Sequence, residues 1–183
     1  RPRIVGSQTA VVTAEPAAPD AEINVGGPGN IGCVRVRFHW DLDSGRLERE
    51  ASSCWVRVSQ MFAGASHGAL WNPRVGNEVI VDFLDGDPDR PIITGRVYNG
   101  LNAPPENLTA RPTYSAIKSR TSPSDGNFNL IAFEDQQGAE QITIHSARDY
   151  VSEVKRDGAR SVGNNDKTIV AGSQKVSVTG GQA

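Results

Sequence analysis

Hydrophobic and polar residues alternate along much of the first hundred residues, a pattern typical of half-buried β-strands. In CVRVRFHW, residues 33–40, two valines and a phenylalanine occupy one face, and two arginines and a histidine occupy the other. The stretches CWVRVSQ (54–60) and EVIVDFL (78–84) repeat this alternation. Two further apolar runs, IVGSQTAVVT (4–13) and PIITGRVY (91–98), predict the first and last strands. No stretch has the period of an amphipathic helix, so the chain is predicted to be all-β.

The spacing of these strands predicts a small barrel. The third and fourth strands are separated by the glycine-rich connection MFAGASHGALWNPRVG, residues 61–76, which has room for at most one or two helical turns. Five short strands with one long connection suit a partly open barrel of the OB type. The side chains that we expect to fill it are Phe38, Val56, Val81, Phe83 and Ile93.

A proline-rich stretch interrupts the strand pattern after the barrel. Residues 100–114, GLNAPPENLTARPTY, contain three prolines, which disfavour regular structure and indicate a domain boundary. The following FNLIAFEDQQGAEQITIH predicts two strands around a Gln-Gln-Gly turn, with Phe133 and Ile144 near its ends. We therefore assign 1–99 to the barrel domain with its N-terminal strand and loop, 100–116 to a linker, and 117–183 to a third section.

The last forty residues contain a valine at every eighth position. The series is Val154, Val162, Val170 and Val178. A glycine follows three of these valines by one or two positions. Because eight is an even number, all four valines face the same side of an extended chain. Such a short, polar unit cannot bury so thin a stripe alone. The spacing predicts a β-repeat whose interior contains these octad valines, covered by stacking neighbours or by other chains.

The composition favours a structure that is extended or completed by partner chains, and it gives no support for a nucleic-acid or membrane partner. The chain has 183 residues and a net charge of -2, so nothing indicates binding to nucleic acid or to an anionic membrane. Only 37% of the residues are apolar and 6% aromatic, low for a compact globule. Cys33 and Cys54 lack C-x-x-C spacing, and we expect two buried thiols, with a disulfide as the less favoured alternative.

Four aspartates lie close together within residues 81–99 and raise the question of a metal site. A calcium loop of the EF-hand type beginning at Asp85 needs glycine at its sixth position and an acid at its twelfth. Arg90 and Arg96 occupy those two positions. The sequence Asp-Gly-Asp-Pro-Asp, residues 85–89, is instead favourable for a turn. We predict a hairpin connection here, with an adventitious cation as the alternative.

Candidate catalytic residues lack a catalytic arrangement. The histidines are His39, His67 and His145. None lies in H-E-x-x-H, and Ser66 beside His67 has no G-x-S-x-G context. The acidic residues of 40–50 could be read as the pair of carboxylates that hydrolyses a glycosidic bond. Arginines are interleaved with them, however, and this pattern indicates a salt-linked loop on the surface. Those residues are Asp41, Asp43, Arg46, Glu48, Arg49 and Glu50. We expect no catalytic residue, no cofactor and no metal.

Several stretches, in the same order, resemble the VgrG spike proteins of bacterial type VI secretion systems and, more distantly, the central spikes of contractile phage tails. They are CVRVRFHWD, SSCWVRVSQMFAG, GALWNPRVGNEVIVDFLDGDPDRPIITGRVYNG, IKSR and FEDQQGAEQITIHSARD. The resemblance extends roughly from Cys33 to the end of the chain. One departure is Cys33 itself, where the family commonly has a polar or basic residue. The implied fold class is all-β, an OB-fold barrel followed by a trimeric, intertwined β-helix.

The resemblance implies a mechanical function: a membrane-puncturing spike in a contractile injection machine, without catalysis, that carries effectors at its tip. The implied partners are two further copies of the chain, a tail-tube protein contacted through N-terminal hub modules, a tip cap protein, effectors and the target membrane. Nucleic acid is not expected. The implied location is assembly in the bacterial cytoplasm, followed by translocation into a target cell or the medium. Since the chain begins near the barrel and stops after about three octads, we expect a section of a longer spike.

Two questions remain open at this point. The first is whether the spike belongs to a type VI secretion system, a phage tail or an extracellular injection system. The second is whether the chain is instead a monomeric OB-fold module that binds a ligand. VRVRFHW mixes arginines with aromatic residues, as the binding face of such a module does. That module would depend on Arg35 and Arg37, whereas the spike would depend on Val170.

Overall fold

The structure, a computed structural model, describes residues 2–43 and 53–180. Apart from two single 3-10 turns, Pro28–Asn30 and Leu84–Gly86, its regular elements are β-strands. The strands are β1 Gln8–Val12, β2 Val36–Phe38, β3 Arg57–Val58, β4 Ala63–Gly64, β5 His67–Gly68, β6 Glu78–Phe83, β7 Pro91–Val97, β8 Tyr114–Lys118, β9 Leu130–Glu134 and β10 Gln141–His145. Within the described residues no helix is long and apolar enough to cross a membrane. The chain divides into one unit that ends at Ala147 and a second that begins at Arg148.

Five strands of the first unit form the predicted barrel. They lie in the order β2-β1-β6-β7-β3, antiparallel except for the parallel pair β3 and β7. The two ends of this sheet meet where Val34 and Val56 exchange backbone hydrogen bonds of 3.0 and 2.8 Å. The sheet therefore closes on itself, which removes its edges, and the OB-type barrel predicted from the alternation is confirmed.

The side chains predicted to point inward fill the barrel. Phe38, Val56, Val81 and Ile93 are buried, and Phe83 packs partly buried against them. The rings of Phe38 and Phe83 stack with their centroids 6.0 Å apart. Full burial of one such side chain stabilises a fold by about 1.5–3 kcal/mol. The alternating strands therefore supply the hydrophobic core of this unit.

The aspartate-rich stretch forms the connection between β6 and β7, as predicted. Asp85 and Gly86 adopt positive φ angles of 57° and 70°, which reverse the chain. The amide of Asp87 donates to the carbonyl of Leu84 over 3.0 Å, and the amide of Leu84 donates to the carbonyl of Arg90 over 3.0 Å. The Arg90 guanidinium lies 2.9 Å from the Asp85 carboxylate on the surface. These contacts are those of a tight hairpin turn.

The connection of residues 61–76, which was predicted to have room for at most one or two helical turns, forms strands instead. It contains a hairpin in which β4 pairs with β5 in antiparallel register. The arms come so close that a Cβ on Gly68 would lie 2.8 Å from the carbonyl oxygen of Phe62. Glycine at this position therefore permits the hairpin, which a count of connection length could not distinguish from a helical turn.

The prediction of two buried thiols is right for one cysteine and wrong for the other. Cys33 is buried, Cys54 is exposed, and neither forms a disulfide. The backbone pairing that buries this strand lies at Val56, two residues beyond Cys54. Burial raises the pKa of the Cys33 thiol, which makes it less reactive than the exposed thiol.

A second sheet follows the proline-rich stretch. Its order is β10-β9-β8, with all neighbours antiparallel. The predicted Gln-Gln-Gly hairpin joins β9 to β10, and the amide of Ala139 donates to the carbonyl of Gln136 over 2.9 Å. Strand β8 begins at Tyr114, within the last residues assigned to the linker. The domain boundaries at 99 and 116 remain a prediction.

The described residues of the second unit form no folded core of their own. Its described residues, 148–180, form no β-strand within the single chain, and every one of them is exposed. A chain segment with no buried side chains cannot offset the conformational entropy lost on ordering. Packing within the single chain therefore contributes little to the stability of this segment.

Candidate subunit interface

One face of the β8–β10 sheet presents apolar side chains to solvent. Residues directly opposite each other in neighbouring strands share a face. The register places Ile117, Ile131 and Ile144 in one row across the sheet, and Phe133 and Ile142 in the next. Each of these five side chains is between 40% and 68% exposed. We call this set the sheet face, and a contiguous apolar patch of this kind marks an interaction site.

A cluster of ionic contacts fixes the start of the sheet. The Arg111 guanidinium lies 3.0 Å from the carboxylates of both Glu106 and Glu134 and stacks over the Tyr114 ring at 4.2 Å. The Thr113 hydroxyl also donates to Glu134. That hydrogen bond, followed by the one from Arg111, lowers the pKa of Glu134. The last residues of the proline-rich stretch are thus held on β9 rather than left as a free tether.

A second cluster, around Glu22, holds the β8–β9 connection on the barrel. The Glu22 carboxylate accepts a 3.0 Å hydrogen bond from the amide of Ser124, which is the main reason that its pKa is lowered. Arg74 and Arg120 lie 3.7 and 3.9 Å from the same carboxylate. Arg74 also donates to the carbonyl of Arg120 over 2.5 Å. The sheet and the barrel are therefore joined by polar contacts within the first unit.

The octad valines are exposed to different degrees from their neighbours. Val162 and Val170 are each 45% exposed, while Ile169, beside Val170, is 76% exposed. Val154 and Val178 are also exposed, each more than the two central valines. Adjacent residues of an extended chain face opposite sides, so the octad prediction places Val170 and Ile169 on different faces. The interior location of the four octad valines remains a prediction, because it requires neighbouring chains.

The arginine-rich face that suggested a ligand-binding module is partly engaged within the barrel. The Arg35 guanidinium lies 3.2 Å from the Glu15 carboxylate and stacks over the Trp55 ring at 4.9 Å. Trp40 is exposed but stacks on the buried Phe38 at 5.1 Å. Glu15, a partner that sequence reasoning did not identify, thus neutralises the charge of Arg35. This pairing weakens the face as a binding site for phosphates.

The histidines are not brought together. His39 follows β2 and lies 3.7 Å from Glu78, and His67 contacts the carbonyl of Ala65 over 3.0 Å. His145, the last residue of β10, packs on the Phe128 ring. In the part of the chain that the structure describes, no group of three or more His, Cys, Asp or Glu residues could hold a metal ion. The acid and arginine residues Arg46, Glu48, Arg49 and Glu50 lie outside the described residues.

Sequence reasoning missed strand β8 and three members of the sheet face, Ile117, Ile131 and Ile142. QITIH alternates, whereas YSAIK does not, because the apolar residues Ala116 and Ile117 are adjacent. Each stretch is only five residues long, and alternation over so short a stretch does not reveal which face a partner will cover. The register between strands supplies that information.

Two protein-family models match the chain, and together they follow its architecture. Residues 23–98 match the type VI secretion system/phage-baseplate injector OB domain. Residues 115–183 match the bacteriophage T4 gp5 C-terminal trimerisation domain. The second match contains both the sheet face and the octad valines. The two matches and the observed barrel confirm the predicted fold class, an OB-fold barrel followed by a β-helical trimerisation region.

Curated relatives share extensive sequence identity with the chain. Type VI secretion system spike protein VgrG1a of Pseudomonas aeruginosa is 42% identical over 205 residues, which covers 98% of this chain and 31% of the relative. VgrG1c of the same organism is 47% identical over 171 residues, covering 92% and 22%. Actin cross-linking toxin VgrG1 of Vibrio cholerae is 43% identical over 151 residues, covering 82% and 14%. The chain thus spans less than a third of the length of these relatives.

Proposed function

The chain belongs to the VgrG family of type VI secretion spike proteins, and on that premise we propose that it forms the barrel and β-helix section of a homotrimeric, membrane-puncturing spike. The observation that carries this proposal is the absence of any buried side chain in the described residues 148–180. The match of residues 115–183 to a trimerisation domain indicates what covers them. Three copies, each covering the other two, would bury the octad valines and the sheet face together.

The proposed function is mechanical and requires no catalysis by this section. Chains that interweave bury more surface than the roughly 2,000 Å² at the lower end of obligate interfaces. Such a rod unfolds slowly, because no chain leaves without losing all its neighbours. Slow unfolding and stiffness suit a device that is driven through a membrane. The Vibrio cholerae relative named as an actin cross-linking toxin matches this chain over only 14% of its length, so its named activity is not carried over to the section described here.

The remaining partners are proposed from the family. Modules N-terminal to the barrel would contact the tail tube, and a tip cap protein and effectors would be carried at the other end. The spike would assemble in the bacterial cytoplasm and be translocated into a target cell or the medium. The domain boundaries at 99 and 116 belong to the same proposal. A phage tail or an extracellular injection system is the alternative machine, since both family models also cover phage proteins.

The solution mass of the chain, measured by light scattering over a wide range of dilution, tests this proposal. We expect a mass near three times 19.6 kDa that persists on dilution. A stable monomer at every concentration would contradict the homotrimer. In that case a monomeric ligand-binding barrel becomes the better interpretation, and substitution of Arg37 should then reduce binding of an oligonucleotide or oligosaccharide.

A further inference from the structure

Three neighbouring cavities lie in the first unit, beside the loop that follows β7. Their volumes are about 320, 390 and 610 Å³, each within the range of about 300–1,000 Å³ that is usual for ligand sites. Tyr98 lines the first and the second, and residues 118–120 line the second and the third. Asn77 and Asn102 line the third and the first. Because the cavities share these walls, we describe them together as the cleft.

Two exposed aromatic rings belong to the wall of the cleft. Tyr98 is 65% exposed and Trp71 is 45% exposed, and neither contributes to the barrel core. The guanidinium of Arg96 donates to the carbonyl of Trp71, which fixes the backbone there. The face of an aromatic ring carries partial negative charge and attracts groups with partial positive charge. The C–H groups on one face of a sugar ring are of this kind, so both side chains offer platforms for sugar rings.

The amide side chains of the cleft are held in fixed orientations. Oδ1 of Asn77 accepts a 2.9 Å hydrogen bond from the amide of Arg74. Nδ2 of Asn102 donates to the carbonyl of Gly76 over 3.0 Å. Asn77 therefore keeps its Nδ2 donor for a ligand, and Asn102 keeps its Oδ1 acceptor. A hydroxyl group both donates and accepts, so the hydroxyl groups of a sugar match this pair of side chains.

Asn99 fixes the loop that contains Tyr98 and Asn102. Its Oδ1 accepts hydrogen bonds from the amides of Leu101 and Asn102 over 3.0 and 2.8 Å. Its Nδ2 donates to Glu78 over 2.6 Å, and this bond is the main reason that the pKa of Glu78 is lowered. Glu78 is thus an ionised acceptor at neutral pH. A loop that is already fixed loses less entropy when a ligand binds, so the cleft is preorganised.

The charges of the cleft favour an uncharged ligand over a nucleic acid. Arg74 and Arg120 lie 3.7 and 3.9 Å from the Glu22 carboxylate, and the Lys118 ammonium lies over an aromatic ring at 4.2 Å. Cations that are already engaged in this way attract a phosphate chain weakly. Glu78 is the one acid among the described residues that line the cleft, and its charge repels phosphates.

We propose that the cleft binds an uncharged carbohydrate chain. Tyr98 and Trp71 support the sugar rings, and the hydroxyl groups pair with Asn77, Asn102 and Glu78. Three adjoining cavities suit a ligand of several units better than a single small molecule. Hydrolysis of a glycosidic bond ordinarily uses two carboxylates, so with Glu78 alone among the described lining residues the cleft binds the chain without cleaving it. This binding activity is additional to the proposed mechanical function.

Isothermal titration calorimetry of the purified full chain tests this inference, with tetrasaccharides of glucose and of N-acetylglucosamine as probes at millimolar concentration. We expect at least one probe to bind. Tyr98→Ala should weaken that binding by at least about tenfold, because one aromatic contact is lost. Tyr150→Ala is the matched control, since Tyr150 is 68% exposed and is not among the described residues that line the cleft. This control should bind as the unmodified chain does.

Several outcomes would overturn the inference. A sample of trimeric mass that binds neither tetrasaccharide would overturn it and leave the proposed function intact, whereas a monomeric sample that binds neither would overturn both. Equal affinities of Tyr98→Ala and Tyr150→Ala would place the binding outside the cleft. Loss of binding in Arg37→Ala, with none in Tyr98→Ala, would place it on the arginine-rich face. Displacement of the saccharide by a short oligothymidylate would identify a nucleic-acid site instead.

Discussion

Replacing one octad valine with an acid should prevent assembly, and the chain contains its own control. In Val170→Asp, three carboxylates would lie at the same level of the proposed trimer axis. In Ile169→Asp, the same charge is placed one residue earlier, on the opposite face of the extended chain. Ile169 is the more exposed of the two side chains. We expect Val170→Asp to be monomeric under conditions in which Ile169→Asp is trimeric.

The magnitude follows from the area that remains to be buried. Val170 is 45% exposed in the single chain, so covering it contributes roughly 1 kcal/mol of the 1.5–3 kcal/mol available for full burial. Three copies contribute roughly 3 kcal/mol per level of the helix. An aspartate removes that gain and adds a desolvation cost of several kcal/mol per ion. The total change of roughly 10 kcal/mol or more corresponds to about seven powers of ten in the association constant, at about 1.4 kcal/mol for each tenfold.

Sedimentation equilibrium at several micromolar concentrations measures the effect directly, with the unmodified chain and both variants run side by side. Acidification provides an internal check, because protonation of an aspartate near its ordinary pKa of about 3.9 removes the charge and should restore part of the association. Equal masses for the two variants would refute the assignment of the octad valines to the interior. Loss of assembly in Ile169→Asp alone would place the opposite face of the segment at the axis.

Two further predictions concern the first unit. Val81→Ala should lower the free energy of unfolding in urea by about 2–3 kcal/mol, because two methyl groups are lost and a cavity remains. Val97→Ala, at a partly exposed site, is the control. An equal loss of stability in the two variants would contradict the assignment of Val81 to the core. Hydrogen bonds from the Thr113 hydroxyl and, next in size, from Arg111 hold the pKa of Glu134 below its ordinary value of 4.5. The ionised carboxylate therefore stabilises the native state above pH 4.5. This contribution is lost as the pH falls through the lowered pKa of the native state. Glu134→Gln should therefore flatten acid unfolding below pH 4.5, and an unchanged dependence on pH would contradict this role.

The barrel could be predicted from the sequence because its information is local. Each strand alternates with a period of two, and that period fixes which side chains point inward without knowledge of the partner strand. Val56 and Val81 were placed correctly in this way. The aspartate-rich turn was also predictable, because glycine at position 86 and the flanking aspartates favour the positive φ angles that reverse the chain.

The features that sequence reasoning missed depend on residues distant in the chain. Glu22 contacts the amide of Ser124 across 102 positions, and no local pattern indicates such a pairing. Cys54 alternates like a buried residue, yet the backbone pairing lies at Val56 and leaves it exposed. The sheet face likewise required the register of β8, β9 and β10. Contacts of this kind follow from tertiary structure, whereas alternation describes only one strand at a time.

The two units bury their apolar side chains in different ways, and this difference bears on the proposed function. The barrel closes on itself between Val34 and Val56, so its core is complete within one chain. Every described residue of 148–180 is exposed within one chain, so packing within that chain contributes little to the order of this segment. In the proposed spike, the barrel would fold as an independent unit, and stiffness would require three chains. Stiffness is then a property of the assembled trimer, which is the form that a contracting machine would drive into a membrane.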